Sequence, residues 1–337
     1  MRLSTLLTLC FTATSAALGQ GTLHVARWPT CPLESGEAIR DCQVAYRTFG
    51  ALNSQRNNAV LIGTWFFGRS DDWASLLGPS GYVDTTRFYT VVVDAFGDGL
   101  SSSPSNSREQ PGSAFPRFTI ADLVEAQHRL VVEQLRLPSL HAVVGYSMGG
   151  MQAFEWAVRY PSFARFVVPM MGTPLLAAYD RLLWSAELAA IERGLRNRAP
   201  SDSILLDVTR IDDLAVSTPG RINETPPDSL AARLAREVAE ALPRFEAHDL
   251  ASQLRAMLAH DVTVHFGGSL SRAGGQVRAR MLVVFSPDDH MVTRSTIPEF
   301  AVAARADTLA LPSPCGHVAL FCSRAAAAAR VRIFLEQ

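Results

Sequence analysis

The stretch HAVVGYSMGGMQAFEWAVRYP, residues 141–161, changes character in its middle. An apolar, β-branched run ends at Gly145, and from just after Ser147 the apolar residues fall at helical spacing. A strand that feeds directly into a helix needs a very tight turn, and Gly145 and Gly149 lack the Cβ atoms that would collide there. The residue at the apex of such a turn is held exposed in strained geometry, with the N-terminus of the following helix aimed at it. A serine there, in the pattern G-x-S-x-G, projects its hydroxyl from the C-terminal edge of a parallel sheet as a nucleophile. Ser147 is therefore the first candidate catalytic residue, and the rest of the chain must supply its partners.

Strand and helix patterns alternate on either side of this junction. AVLIGTW (59–65), FYTVVVDAFG (88–97), HAVVG (141–145), FARFVVPMMG (163–172) and RMLVVFS (280–286) are short apolar runs of the kind that buried parallel strands show. Between the second and third lies TIADLVEAQHRLVVEQL, which opens with Thr119 three residues before Asp122, a capping-box signal, and carries apolar residues at helical spacing. The alternation predicts an α/β fold, a mostly parallel sheet covered by helices on both faces, with its site beyond the C-terminal strand ends. One connection is far too long for a simple crossover, which needs about a dozen residues. More than a hundred separate Gly172 from Arg280. That interval contains YDRLLWSAELAAIERGL, SLAARLAREVAEAL and AHDLASQLRAMLAHD, with a Pro- and Ser-rich loop between the first two. Residues 174–265 are thus expected to form a helical cap over the mouth of a core made of residues 20–173 and 266–337.

A serine hydroxyl needs a base within hydrogen-bond reach and a third group to orient that base. PDDHMVT follows the strand RMLVVFS, and PCGHVALF follows DTLALPS, so Asp289 and His317 reach the same sheet edge as Ser147. The chain order Ser, Asp, His is that of a triad on a strand–turn–helix scaffold. Asp288 is the rival acid, less well spaced from the apolar Val292 that would anchor the loop, and His290 reads as a surface or supporting residue. No HExxH or CxxC spacing accompanies the Asp288–His290 cluster, and no metal or cofactor is expected. Backbone donors for a tetrahedral intermediate are expected at Met148 and in the loop after the 59–65 strand, where Trp65 and Phe66 precede Gly68. Trp65 and Tyr146 are assigned to the substrate pocket.

Composition and chain termini narrow the setting. The 337 residues carry 31 Lys and Arg against 32 Asp and Glu, so no electrostatic attraction to nucleic acid or to a membrane surface is expected. The start, MRLSTLLTLCFTATSAALGQ, has one basic residue, a short apolar run and a tail of small residues, the anatomy of a signal peptide ending near residue 19. Its apolar run falls short of the ~20 residues that span a bilayer, so no membrane anchor is expected. Removal of that segment leaves Cys31, Cys42, Cys315 and Cys322, which allow three pairings in a secreted chain. Local pairs are favoured because CPLESGEAIRDC reads as a hairpin with a Ser-Gly turn. Asn223 stands in a glycosylation sequon, NET.

NNAVLIGTWFFGRS, DGLSSSPSN, FPRFTIADLVEAQ, VVGYSMGGMQAFEWA and FEAHDLASQLRAMLAHDV together resemble the homoserine O-acetyltransferases and their α/β-hydrolase relatives, over nearly all of residues 33–335. The resemblance implies the α/β-hydrolase fold, Ser147, Asp289 and His317 in the triad roles, and Phe66 with Met148 as the oxyanion hole. The chain also departs from that family. Val318 follows the histidine where the acetyltransferases have an aspartate that helps hold the homoserine amine, and Leu188 aligns with their carboxylate-binding arginine. Thr64 stands where these enzymes often carry a histidine. Losing both charges disfavours an amino-acid substrate. The expectation is a secreted serine esterase acting on a small acyl substrate, with an O-acyltransferase as the alternative. A non-catalytic binding protein is the third reading, and the presence of all three triad residues argues against it.

Overall fold

The computed structural model describes residues 21–337, and the expected signal peptide lies outside the described residues. In chain order the elements begin with a hairpin of β1 (Thr22–Pro32) and β2 (Ala38–Phe49). There follow β3 (Ala59–Gly63), β4 (Tyr89–Val93), α1 (Ile120–Arg129), β5 (Leu140–Tyr146), α2 (Met148–Arg159) and β6 (Ala164–Met170). Five helices come next: α3 (Ala178–Arg196), α4 (Ser201–Val216), α5 (Pro219–Ile222), α6 (Leu230–Ala241) and α7 (Ala247–Leu258). The chain ends through α8 (Leu270–Gln276), β7 (Arg280–Phe285), α9 (Ile297–Ala303), β8 (Asp307–Ala310), α10 (Ala319–Cys322) and α11 (Arg324–Leu335).

All eight strands form one sheet in the order β1-β2-β4-β3-β5-β6-β7-β8. Pairing is antiparallel at β1–β2 and β2–β4 and parallel everywhere else. The central strands are apolar at successive positions because both of their faces are covered. Leu61, Val91 and Val143 point into a core shared with α1 and α2, while Val60, Ile62, Val92 and Val144 point into a second core closed by Val331, Phe334 and Leu335 of α11.

The capping box predicted for α1 is present, with Thr119 Oγ1 accepting from the Asp122 amide at 3.2 Å and Asp122 Oδ2 accepting from the Thr119 amide at 2.8 Å. The predicted helix does not run α-helically to its end: residues Leu130–Gln134 form a π-helical turn. The hairpin around Gly36 forms, and disulfides link Cys31 to Cys42 and Cys315 to Cys322, the two local pairs. Its strands extend well beyond the cysteines. β1 is mostly exposed, so its alternation of apolar and polar residues is too weak to read as a strand.

The insertion between β6 and β7 differs from the sequence reading at one place. The expected Pro- and Ser-rich loop after its first helix is largely the helix α4, SDSILLDVTRIDDLAV. Its Ser, Asp and β-branched residues are weak helix formers, but Ile204, Leu205, Val208 and Ala215 are buried against the neighbouring helices, and that packing outweighs propensity. The insertion is clasped where it leaves and rejoins the core. The Val262 amide donates to the Pro174 carbonyl at 3.1 Å, and His260 Nε2 donates to the Thr173 carbonyl at 2.9 Å. Among the described residues no helix is long and apolar enough to cross a membrane.

Candidate active site

Ser147 sits between β5 and α2 with φ 56° and ψ −121°, a conformation that strains any residue with a side chain. The sharpness of the turn shows in what surrounds it. A Cβ on Gly145 would lie 1.9 Å from the Gly149 carbonyl oxygen, and one on Gly149 would lie 2.3 Å from the Gly63 carbonyl oxygen, so neither glycine can be replaced. Such strain costs about 1–3 kcal/mol. Burial of α2 exceeds it, because Phe154 and Trp156 alone are at most 1% exposed and each large apolar side chain contributes roughly 1.5–3 kcal/mol.

The three residues read from spacing come together. Ser147 Oγ lies 2.9 Å from His317 Nε2, and His317 Nδ1 lies 2.7 Å from Asp289 Oδ2. An ionised Asp289 can only accept, which puts the imidazole proton on Nδ1 and leaves the Nε2 lone pair facing the serine hydroxyl. Asp289 is itself oriented, its Oδ1 accepting from the Met291 and Val292 amides at 2.8 and 2.9 Å. Val292 is buried and anchors this loop. Asp288 is turned to other work, its Oδ2 accepting from the Ser313 amide at 3.1 Å, and His290 is exposed.

Two devices fix the histidine. The Tyr146 ring stacks on the His317 imidazole with centroids 5.3 Å apart, and its hydroxyl donates to the His317 carbonyl at 3.3 Å. Burial pushes the Tyr146 phenol far above its usual range, so it stays neutral. The Cys315–Cys322 disulfide brackets the turn that carries His317. Trp65 stands edge-on to Tyr146 with centroids 5.6 Å apart and is only partly buried.

The loop after β3 is held from below and above. A chain of buried amides runs from Trp156 Nε1 to Gln127 Oε1 at 2.7 Å, from Gln127 Nε2 to Gln152 Oε1 at 2.5 Å, and from Gln152 Nε2 to the Thr64 carbonyl at 3.0 Å. Thr64 Oγ1 accepts from the Ala95 amide at 3.1 Å. Asp94, at the end of β4, accepts from both the amide and the hydroxyl of Ser70 at 2.7 Å, and burial pushes its carboxyl up to about 6. From the insertion, Gln253 Oε1 accepts from the Phe67 amide at 3.0 Å while its Nε2 donates to the Phe96 carbonyl at 3.1 Å. Among the described residues neither the Phe66 nor the Met148 amide has a protein acceptor, and Met148 opens the helix behind Ser147.

Sequence reasoning overlooked Gln253, Gln127 and Gln152. Gln253 had a signal: it interrupts the apolar stripe of Leu250, Leu254 and Met257 on α7, and a polar side chain on a buried stripe needs partners. The two other glutamines sit on faces whose burial only the assembled helix pair creates.

A strained serine on a strand–helix turn, hydrogen-bonded through histidine to aspartate on later strand ends of a mostly parallel sheet, defines an architecture. The chain belongs to the α/β-hydrolase fold family, whose model matches residues 60–322. It is 30% identical over 305 residues to an ethyl acetate hydrolase of Pseudomonas veronii, covering 86% of this chain and 87% of that one. It superposes on the solved acetyl esterase MekB with a TM-score of 0.87 at 27% identity, covering 94% and 98% of the two chains. A homoserine O-acetyltransferase of Solidesulfovibrio magneticus is 40% identical over 159 residues, a match confined to 42% of this chain and 40% of that protein.

Proposed function

We propose that the protein is a serine esterase that cleaves carboxylic esters through an acyl-serine intermediate. The observation that carries this is the Asp289–His317–Ser147 hydrogen-bonded chain, which ends on a strained serine at a helix N-terminus. His317 Nε2 removes the Ser147 proton as Oγ attacks the ester carbonyl, and the carbonyl oxygen gains charge facing the Phe66 and Met148 amides. Collapse breaks the bond to the alkoxy oxygen, which takes the proton from His317 and leaves as the alcohol. Water then repeats the sequence on the acyl-serine, releasing the acid and restoring Ser147. Asp289 stabilises the imidazolium formed in each half-reaction. The α3–α7 insertion serves as a cap that excludes bulk water, and Trp65 lines the acyl pocket.

Similarity to an ethyl acetate hydrolase and to an acetyl esterase over most of the chain supports this reading. Acyl transfer to an alcohol is the second reading, supported by the central match to a homoserine O-acetyltransferase. Transfer needs an acceptor held firmly enough to outcompete water, and Val318 and Leu188 supply no charge to anchor homoserine. Purified protein is expected to release free acid from simple acetate esters at a rate that homoserine does not alter. Formation of O-acetylhomoserine from acetyl-CoA and homoserine faster than acetyl-CoA hydrolysis would reverse the two readings.

Export is part of the proposal, supported by the leader-like N-terminus and by two disulfides. Protein recovered from culture medium should begin near residue 20; retention in the cell with residue 1 intact would refute export.

A further inference from the structure

The disulfides Cys31–Cys42 and Cys315–Cys322 sit in different settings. Cys31 and Cys42 join the strands β1 and β2, which already hold each other through their own ladder, and both cysteines are buried. Strands β4 and β3 lie between that hairpin and β5, the strand that leads to Ser147. Cys315 and Cys322 are only 7 residues apart and enclose His317. Cys315 is buried, whereas Cys322 is exposed.

The segment between Cys315 and Cys322 consists of one 3-10 turn, Gly316–Val318, and the four-residue helix α10. Single turns of this kind are not stable unaided. Gly316, between the bridge and the histidine, has φ 55° and leaves that conformation readily, because glycine lacks the Cβ that would bias it. Neighbours reach the segment's backbone through the Tyr146 hydroxyl, which donates to the His317 carbonyl at 3.3 Å, and the Tyr82 hydroxyl, which donates to the Leu320 carbonyl at 2.7 Å. Phe321 stands edge-on to Tyr146 with centroids 5.7 Å apart, so the segment folds back on the ring that stacks on His317. Ala319 and Leu320 are buried and keep the segment on the core if the bridge opens. What opening releases is the placement of His317, and an error of about 1 Å in a catalytic group costs about 100-fold in rate.

We propose that the Cys315–Cys322 bridge positions His317 and acts as a thiol-operated switch: the oxidised enzyme is active, and the reduced enzyme is folded but slow. The inference rests on the esterase reading of Ser147. The thiolate of a small thiol reductant attacks Cys322, the exposed partner, forming a mixed disulfide and expelling the Cys315 thiolate, which takes up a proton. A second reductant thiolate attacks the reductant's own sulfur in that mixed disulfide and frees Cys322, which is protonated in turn. Two reductant thiols thus become one disulfide, and the bridge gains their two electrons and two protons. The buried Cys31–Cys42 bridge offers a thiol no such approach.

The test treats the purified full chain with dithiothreitol under native conditions. Aliquots are alkylated with iodoacetamide for peptide mapping, while others give kcat and KM for ethyl acetate, the rate of fluorophosphonate labelling of Ser147 and the far-ultraviolet circular dichroism. Cys315 and Cys322 should be alkylated before Cys31 and Cys42. With that, kcat should fall about 10- to 100-fold at little change in KM and unchanged dichroism, labelling of Ser147 should slow in step, and reoxidation should restore both. The double variant Cys315→Ser/Cys322→Ser should match the reduced parent and ignore the thiol, whereas Cys31→Ser/Cys42→Ser should keep the parent's response. A reduced Cys315–Cys322 pair with unchanged kcat overturns the positioning role, and a bridge that resists dithiothreitol until the dichroism is lost overturns the switch. Activity that falls only in proportion to the folded fraction assigns the bridge to stability alone and overturns the inference as well. Should Cys315→Ser/Cys322→Ser not fold, the reduced parent decides. Should the oxidised protein hydrolyse no ester, the esterase reading fails by itself, and the labelling rates of Ser147 in the two redox states still decide the role of the bridge.

Discussion

The groups directly beneath Ser147 and the α3–α7 insertion above it hold their buried polar atoms differently. Below Ser147, Gln127, Gln152 and Trp156 close a chain of hydrogen bonds onto Thr64, and both oxygens of Asp289 are engaged. Above it, the buried Glu187 carboxyl is paired with another carboxyl, that of Asp212, and Leu182 and Leu214 remain 71% and 77% exposed on α3 and α4. A fully satisfied buried network fixes one geometry, which proton transfer at a 2.9 Å contact requires. The difference separates a region held in one geometry from one held less tightly.

Ser147→Ala breaks that division most severely. It removes the proposed nucleophile without disturbing the closed network, so turnover should fall about 10⁴- to 10⁶-fold while the melting temperature holds or rises as the hydroxyl is lost. Steady-state hydrolysis, thermal melting and fluorophosphonate labelling check it together. Full labelling of the variant would place the nucleophile elsewhere.

A second prediction concerns the clasp at the root of the insertion. His260 is buried, and desolvation lowers its pKa to about 4 although the Thr173 carbonyl favours its proton. The folded state then binds fewer protons than the unfolded chain between about pH 4 and 6.5, so the stability tied to neutral His260 is complete above pH 6.5 and is lost as the pH falls towards 4. Relative to His260→Gln, the parent should lose about 3 kcal/mol of unfolding free energy between pH 7 and pH 4. Denaturant titrations at both pH values measure this, and a pH-independent difference would show that His260 does not titrate with folding.

The smallest effect sharpens the boundary between the two regions. Gln253 belongs to the insertion but holds the Phe67 amide beside the proposed oxyanion donor. Gln253→Leu should lower kcat about 10- to 100-fold with little change in KM, since the loss falls on a group that stabilises the transition state. A rise in KM at constant kcat would make Gln253 a part of substrate selection instead.

The line between what could be read from residues and what could not follows the same boundary. Gly145, Ser147 and Gly149 announce their turn because only glycine fits where a Cβ would lie 1.9 and 2.3 Å from carbonyl oxygens. Asp289 and His317 were legible because each follows an apolar strand run at a sheet end, a local pattern. The choice of Asp289 over Asp288 rested on the spacing to Val292, and the structure places the Asp289 carboxylate against His317. The sequence predicts a loop where α4 forms, because its propensity is poor and its helicity comes from burial against α3 and α6.

By itself the sequence determined the parallel sheet, the serine turn and the order of the residues that converge on it, because steric limits on a tight turn and apolar runs in buried strands act over a few neighbouring residues. The tertiary structure decided the rest: which acid faces His317, that Gln253 reaches back 186 residues to Phe67, and that Glu187 lies beside Asp212. Those contacts join helices whose relative placement is set by packing of whole apolar faces, and no local pattern in the chain encodes which polar side chains that packing brings together.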